Sequence, residues 1–164
     1  LTAGHETTTN PTGNALHIPP PRPALRRQIA ADRALVPAFI EEVLRFESPN
    51  QLGNRRAVRD TAIAGIPVEE GTLITLLIGA ANRDPAAFDE PDRFRLDRRP
   101  NRHLAFGAGG HQCAGLSLAR LEGVSALSAW LEQMPDFHLE GPALWQHRVR
   151  FRGLEHLPLV WPTR

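Results

Sequence analysis

A glycine-rich loop around the only cysteine constrains this 164-residue chain more than any other feature. The loop reads Phe106-Gly-Ala-Gly-Gly-His-Gln-Cys113-Ala-Gly115, and an amphipathic helical pattern follows over residues 114–131. A thiolate near the N-terminus of a helix is stabilised by backbone N–H groups and is a strong ligand for a soft metal. Glycines permit positive φ angles and lack the Cβ atoms that would block a close approach. We therefore expect this loop to let a flat group come near the cysteine.

Several simpler interpretations of Cys113 are open from the residues alone. A lone cysteine is often a small buried hydrophobe, and the glycines beside it can mark an ordinary turn. A disulfide within the chain is excluded because Cys113 has no partner, and zinc is disfavoured because no second cysteine lies at ligand spacing. A cysteine nucleophile would need a histidine base, for which His111 is a candidate on sequence proximity only.

The order Phe106, Gly109, His111, Cys113 and Gly115 resembles the heme-binding loop of the cytochrome P450 family, Phe-x-x-Gly-x-x-x-Cys-x-Gly. The resemblance implies that Cys113 is the axial thiolate ligand of the iron and that the cofactor is heme b. It also implies the cytochrome P450 fold, which is mainly α with small β-sheets (α+β). Residues 1–164 would be the C-terminal, heme-ligating portion of one such domain, without its N-terminal part.

A second motif lies in residues 36–46, where apolar residues at helical spacing predict a helix. Glu42 and Arg45 share one face of it, and an ordinary surface pair of this kind contributes about 0.2–0.5 kcal/mol. The pair resembles the Glu-x-x-Arg of the same family, which joins an arginine from a later irregular segment, here Arg93. The resemblance implies that this trio supports the heme loop structurally, since guanidinium groups can hold a carboxylate and still donate to carbonyls.

The first residues of the chain carry a third motif. Three successive threonines, at positions 7–9, are poor helix formers and would suit a frayed terminus. The segment nevertheless resembles the family's Ala-Gly-x-Glu-Thr motif, in the helix that crosses over the iron. By that resemblance Gly4 opens space for dioxygen, while Glu6 and Thr7 are the catalytic acid and alcohol that relay protons. Pro11 cannot donate to the Thr7 carbonyl, so we expect a kink there.

Two further residues match places where the family contacts the heme propionates. These are Arg55, which could equally be a solvated arginine, and His111, whose donor groups would suit a carboxylate. Residues 50–54 are expected to line the substrate pocket. The full set that the resemblance assigns to cofactor binding is Gly4, Arg55, Phe106, Gly107, Gly109, His111, Cys113 and Gly115.

Composition is compatible with an intracellular catalyst and excludes some other classes. No apolar run approaches the roughly 20 residues needed to span a bilayer, so we expect a cytoplasmic protein without membrane contact. All 19 basic residues are arginine, and they are scattered and balanced by 18 acidic residues. A phosphate-binding stripe, and hence a nucleic-acid partner, is not supported.

The remaining pattern predicts the order of the elements. Helices are expected over residues 1–16, 24–32 and 80–84, in addition to 36–46 and the helix after Cys113. Strands are expected at 55–60, 62–66 and 72–78, with a meander over 88–101 and two or three short strands between 137 and 161.

Together these resemblances imply a heme-thiolate monooxygenase that activates dioxygen to hydroxylate or epoxidise a small organic substrate. Electrons would come from a ferredoxin or similar donor, which would dock near Arg102, His103 and the cysteine loop. Three alternatives stay open: an enzyme that uses peroxide, a thiolate-ligated heme-binding or sensor protein, and a truncated, inactive remnant.

Overall fold

The computed structural model describes residues 2–162, with side chains described from residue 6 onward. Gly4 therefore lies in a described helix, but its surroundings are outside the described residues. The helices are α1 (Thr2–His17), α2 (Pro23–Ala31), α3 (Val36–Phe46), α4 (Ile78–Ala81) and α5 (Leu116–Gln133). The strands are β1 (Leu52–Arg56), β2 (Thr61–Ile63), β3 (Ile66–Val68), β4 (Leu73–Leu77), β5 (His138–Leu139), β6 (Leu144–Trp145), β7 (Leu154–His156) and β8 (Leu159–Val160).

The core is formed where α3 packs against α5 and α1. Val36, Phe39, Ile40 and Val43 recur at helical spacing and are all at most 4% exposed. Burying a large apolar side chain of this kind contributes about 1.5–3 kcal/mol. Gly123 lets the two helices approach, because a Cβ at that position would lie 3.3 Å from Ile40 Cγ2. This packing holds the start of α5, and with it the cysteine loop, against α3.

Helix α1 continues through Pro11 and ends at His17, before the proline cluster at 19–21. Pro11 has no backbone N–H to donate to the Thr7 carbonyl. At the next carbonyl of the helix, that of Thr8, the Thr12 hydroxyl donates a hydrogen bond at 3.1 Å. Near the end of the helix, the Asn14 amide donates to the carbonyls of Glu47 (3.0 Å) and Arg152 (3.2 Å). These bonds tie α1 to the segment after α3 and to the C-terminal loop.

The sheets agree with the sequence prediction in type but not in all boundaries. β1 and β4 pair antiparallel, from Leu52 opposite Leu77 to Arg56 opposite Leu73, so the strand predicted at 55–60 begins earlier. The segment predicted as a strand at 62–66 instead contains a hairpin turn between β2 and β3. Its central residues, Ala64 and Gly65, have φ angles of 49° and 82°, as a tight two-residue turn requires.

The C-terminal region forms two further two-stranded sheets, β5 with β8 and β6 with β7. Each strand has only two or three residues, which is why a pattern of alternation predicted fewer of them. The described chain is thus mainly helical with small sheets, as predicted. Among the described residues, none of the helices is long and apolar enough to cross a membrane.

Candidate functional site

The cysteine loop is closed by its own backbone. The amide of Cys113 donates to the carbonyl of Phe106 at 2.8 Å, which brings the two ends of the loop together. Gly107 and Gly109 have φ angles of 69° and 70°, a region that other residues rarely adopt. Gly115 does not need such an angle; it precedes the first turn of α5 with φ −90°, and a Cβ there would lie 4.0 Å from Cys113 Sγ.

Cys113 is exposed, so the interpretation of this residue as a buried hydrophobe is wrong. Its side chain faces a cavity of about 730 Å³ that α1, β1, β4 and the cysteine loop form together. Among the side chains of residues 6–162, His, Cys, Asp and Glu make no cluster of three that could hold a metal ion. The lining residues that matter for the chemistry are Thr7, Arg55, Leu77, Phe106, His111 and Cys113.

The donors around this cavity fit an iron porphyrin. Cys113 supplies a soft sulfur ligand, and Arg55 and His111 supply N–H donors suited to carboxylates. Leu77 and Leu104 add apolar side chains to the cavity wall, which suits a flat hydrophobic ring. Arg55 already uses one N–H, since its Nη1 donates to the Asn54 carbonyl at 2.8 Å, but the residue remains exposed with further donors available. Of the expected cofactor-binding residues, this cavity is lined by Arg55, Phe106, Gly107, His111 and Cys113. Gly109 and Gly115 do not line it, and the surroundings of Gly4 lie outside the described residues.

Of the two predicted relay residues, Thr7 lines this cavity and also a small cleft between α1, α3 and α5. Glu6 makes an ion pair with Arg148, with Oε1 and Nη1 2.5 Å apart. Both side chains of that pair are partly exposed, at 38% for Glu6 and 52% for Arg148. Arg148 lies between β6 and β7 and was not predicted from the sequence as a neighbour of α1.

Behind the loop, Glu42 and Arg45 form a fully buried bidentate pair. Arg45 Nε and Nη2 donate to the two carboxylate oxygens at 2.9 and 2.8 Å. The remaining donors of Arg45 reach the carbonyls of Asn82, Pro91 and Arg93 at 2.8–3.2 Å. This is no surface pair, because both residues are 0% exposed.

The prediction that the Arg93 side chain completes this trio is wrong. Arg93 points outward, 68% exposed, and pairs with Glu90 at 3.2 Å. The place is taken by Arg98, whose Nε lies 3.1 and 3.2 Å from the two oxygens of Glu42. Arg93 contributes only its carbonyl, which accepts bonds from both Arg45 and Arg98. The turn of the meander, and not the sequence motif, decides which arginine reaches inward.

Asn82 connects the buried pair to the cysteine loop, and no sequence pattern predicted this role. Its carbonyl accepts from Arg45, while its side-chain amide donates to Ser48 Oγ at 2.7 Å. Its side-chain oxygen accepts from the Leu104 amide at 2.7 Å, two residues before Phe106. With Asn82 0% exposed, these bonds are shielded from water.

A second carboxylate on α3 reaches the loop from another side. Arg120 donates two hydrogen bonds to the Glu41 carboxylate, at 2.7 and 2.9 Å. His103 Nε2 lies 3.2 Å from Oε2 of the same carboxylate. Burial alone raises the pKa of Glu41, but the bonds to His103 and Arg120 outweigh it and lower the pKa to about 2. The His103 side chain is only 2% exposed, so the expectation that it forms part of a docking surface is wrong.

A family profile described as Cytochrome P450 matches residues 21–137. The chain is 42% identical over 161 residues to the biotin biosynthesis cytochrome P450 of Bacillus subtilis, covering 97% of this chain and 40% of that protein. It is 38% identical over 167 residues to the mycinamicin IV hydroxylase/epoxidase of Micromonospora griseorubida, covering 98% and 42%. The chain thus spans about two fifths of the length of these relatives.

Solved structures show the same similarity in three dimensions. The crystal structure of P450BioI in complex with hexadec-9Z-enoic acid ligated acyl carrier protein superposes with a TM-score of 0.94 at 41% identity, covering 98% of this chain and 42% of that one. CYP109E1 from Bacillus megaterium in complex with corticosterone gives 0.92 at 33% identity, covering 97% and 43%.

Proposed function

Because this chain belongs to the cytochrome P450 family, we propose that it carries the heme-thiolate centre of a monooxygenase. The protein would activate dioxygen to hydroxylate or epoxidise a small organic substrate, with electrons from a ferredoxin or similar donor. The observation that carries this proposal is the single cavity lined by Cys113, Thr7, Arg55 and His111, which come from three separate segments: α1, β1 and the cysteine loop.

In this proposal Cys113 holds the cofactor through its sulfur. Heme b, when bound, supplies the iron at which dioxygen is activated. The hydrogen bond from the Cys113 amide to the Phe106 carbonyl fixes the position of the sulfur. The positive φ angles of Gly107 and Gly109 keep the loop backbone from blocking the approach of the ring. Arg55 and His111 would bind the two propionates through charge-assisted hydrogen bonds, which orient the ring within its plane.

Thr7 and Glu6 would move protons on the opposite side of the site. Thr7 lines the cavity, so its Oγ1 would pass a proton inward, and the Glu6 carboxylate would replace that proton from the solvent side. Arg148 forms an ion pair with the Glu6 carboxylate. A carboxylate and a hydroxyl can deliver protons singly, without admitting bulk water.

The substrate class follows from the walls of the cavity and from the relatives. Leu76 lines the cavity beside the two leucines that would contact the ring, which favours an apolar substrate. One relative is named a hydroxylase/epoxidase, and solved relatives hold an acyl chain or corticosterone. These names support an organic substrate with an unactivated C–H bond or a double bond.

The decisive experiment is an absorption spectrum of the heme-loaded, reduced, carbon-monoxide-bound protein. We expect a thiolate-type Soret band in the wild type, its loss in Cys113→Ser, and its retention in a Ser125→Ala control on the exposed face of α5. A Cys113→Ser protein that kept the band would refute the ligand assignment. If the chain alone shows no band while a longer form does, the inert-remnant alternative holds for this chain.

The same preparation separates the two remaining alternatives. A monooxygenase turns over with reductant and dioxygen, and Thr7→Ala lowers product formed per electron consumed. An enzyme that uses peroxide is unaffected by Thr7→Ala, and a sensor gives no turnover with either oxidant.

A further inference from the structure

The residues around Glu41 form a second network on α3, separate from the Glu42 network and in contact with the cysteine loop through Phe106. Arg120 holds the Glu41 carboxylate with a planar fork, at 2.7 Å to Oε1 and 2.9 Å to Oε2. Arg120 lies in the second turn of α5, seven residues after Cys113. Glu41 thus links α3 to the helix that begins at the cysteine loop.

His103 enters the same network in a defined tautomer. The Ala105 amide donates to His103 Nδ1 at 3.3 Å, so that nitrogen is an acceptor and the proton is on Nε2. Nε2 therefore donates to Glu41 Oε2 at 3.2 Å. The bond fixes the segment just before Phe106, as Arg120 fixes the segment just after Cys113.

Both partners of Glu41 also lie against the Phe106 ring. The Arg120 guanidinium carbon is 4.8 Å from the ring centroid, within the range of a cation–π contact. The His103 and Phe106 ring centroids are 6.0 Å apart. Phe106 lines the cavity, and its carbonyl accepts from the Cys113 amide at 2.8 Å. A displacement of the Phe106 ring would therefore be transmitted to the cysteine by one hydrogen bond.

We infer that Glu41, His103 and Arg120 are positioning residues that clamp Phe106 and so set the position of the Cys113 sulfur. As a statement about a heme ligand this rests on the proposed function, but the clamp itself is a property of the loop. None of the three residues lines the large cavity. Their effect on the site would act through the Phe106 ring and through the two ends of the loop that His103 and Arg120 hold.

Hydrogen exchange of the chain without heme tests the clamp directly. The amides of Cys113 and Gly107 are bonded inside the loop, to the carbonyls of Phe106 and Leu104. In Glu41→Gln we expect both to exchange at least about tenfold faster, while amides in the middle of α3 keep their rates. Glu90→Gln is the matched control, because Glu90 also pairs with arginines but lies on the exposed meander.

A milder variant covers the case in which Glu41→Gln does not fold. Arg120→Lys keeps the charge but loses the planar fork and weakens the contact with Phe106. It should accelerate exchange of the same two amides, to a smaller degree. Unchanged Cys113 and Gly107 exchange in a folded variant of either kind would overturn the clamp.

The heme-loaded protein supplies a separate spectroscopic readout. With the clamp intact, the reduced, carbon-monoxide-bound wild type should show the thiolate-type Soret band. Glu41→Gln should lose at least about half of the intensity of that band, because an equal partition between intact and displaced loops would give this loss. Faster exchange with no band in the wild type would uphold the clamp and refute the proposed function. A full band in every variant, with unchanged exchange, would refute the clamp and leave the proposed function standing.

Discussion

Glu41 and Glu42 are neighbours on α3, yet their surroundings give them different tasks. Glu42 is 0% exposed and accepts bonds from Arg45, Arg98, Asn101 and the Arg95 amide. The Glu41 side chain is 30% exposed and has two partners, Arg120 and His103. The buried carboxylate holds the meander onto the core, while the half-exposed one reaches the cysteine loop. Both residues are carboxylates paired with arginine, so it is the degree of burial that distinguishes the structural role of Glu42 from the role of Glu41 at the cysteine loop.

The largest effect is expected when Glu42 is changed to Gln. Two buried guanidinium groups, Arg45 and Arg98, would lose their shared counter-charge, a loss that costs about 3–5 kcal/mol in proteins. The same change at Glu41 should cost about 1–2 kcal/mol, because solvent screens the partly exposed pair of Glu41 and Arg120. Urea unfolding of both variants measures the difference. Equal losses at the two positions would break the comparison.

The next effect distinguishes Arg98 from Arg93. Arg98→Gln removes a buried donor to Glu42 and should lower the free energy of unfolding by about 2–4 kcal/mol. Arg93→Gln removes only an exposed side chain, and a change within about 0.5 kcal/mol is expected. Thermal or urea unfolding of this matched pair checks the result. If Arg93→Gln were the more damaging, the assignment of the buried partner would be wrong.

The pH dependence sharpens the description of Glu41. Folding lowers its pKa from 4.5 to about 2, so the folded state binds fewer protons and the carboxylate stabilises the fold above its ordinary pKa. That contribution is lost as the pH falls toward about 2. The stability difference between wild type and Glu41→Gln should shrink between about pH 6 and about pH 3. A difference that grew on acidification would contradict the lowered pKa.

The smallest effect is expected at the exposed pair of Glu6 and Arg148. Because Arg148 is 52% exposed, Arg148→Gln should change the free energy of unfolding by no more than about 0.5 kcal/mol. The measurement is again urea unfolding, with Arg93→Gln as a second exposed control. A loss as large as that of Arg98→Gln would show that exposure does not order these pairs.

Much of the fold could be predicted from local patterns. The bounds of α3 are those expected from its apolar spacing, and α5 begins and ends within about two residues of the pattern after Cys113. A strand was predicted over 62–66, where the structure has the hairpin turn at Ala64 and Gly65, because the apolar residues on both sides of the turn read as one continuous strand until their pairing is known. The C-terminal strands, two or three residues long, are too short for alternation to define them.

The residues behind the loop could be predicted only in part. Glu42 and Arg45 are adjacent on one helix face, so their pairing follows from sequence spacing. Arg98 and Asn82 have no such spacing, and they reach the site because the meander and α4 fold back on α3. The Glu41 network joins residues 62 and 79 positions apart.

By itself, the sequence determined the cysteine loop, the Glu-x-x-Arg pair and the family to which the chain belongs. Each depends on residues within a few positions of one another, whose relative placement is set by backbone geometry. Only the tertiary structure decided which arginine neutralises Glu42, and that Glu41 reaches Phe106 through Arg120 and His103. Arg93 and Arg98 have the same chemistry and lie five residues apart. The path of the meander directs the Arg93 side chain into solvent and buries the Arg98 side chain.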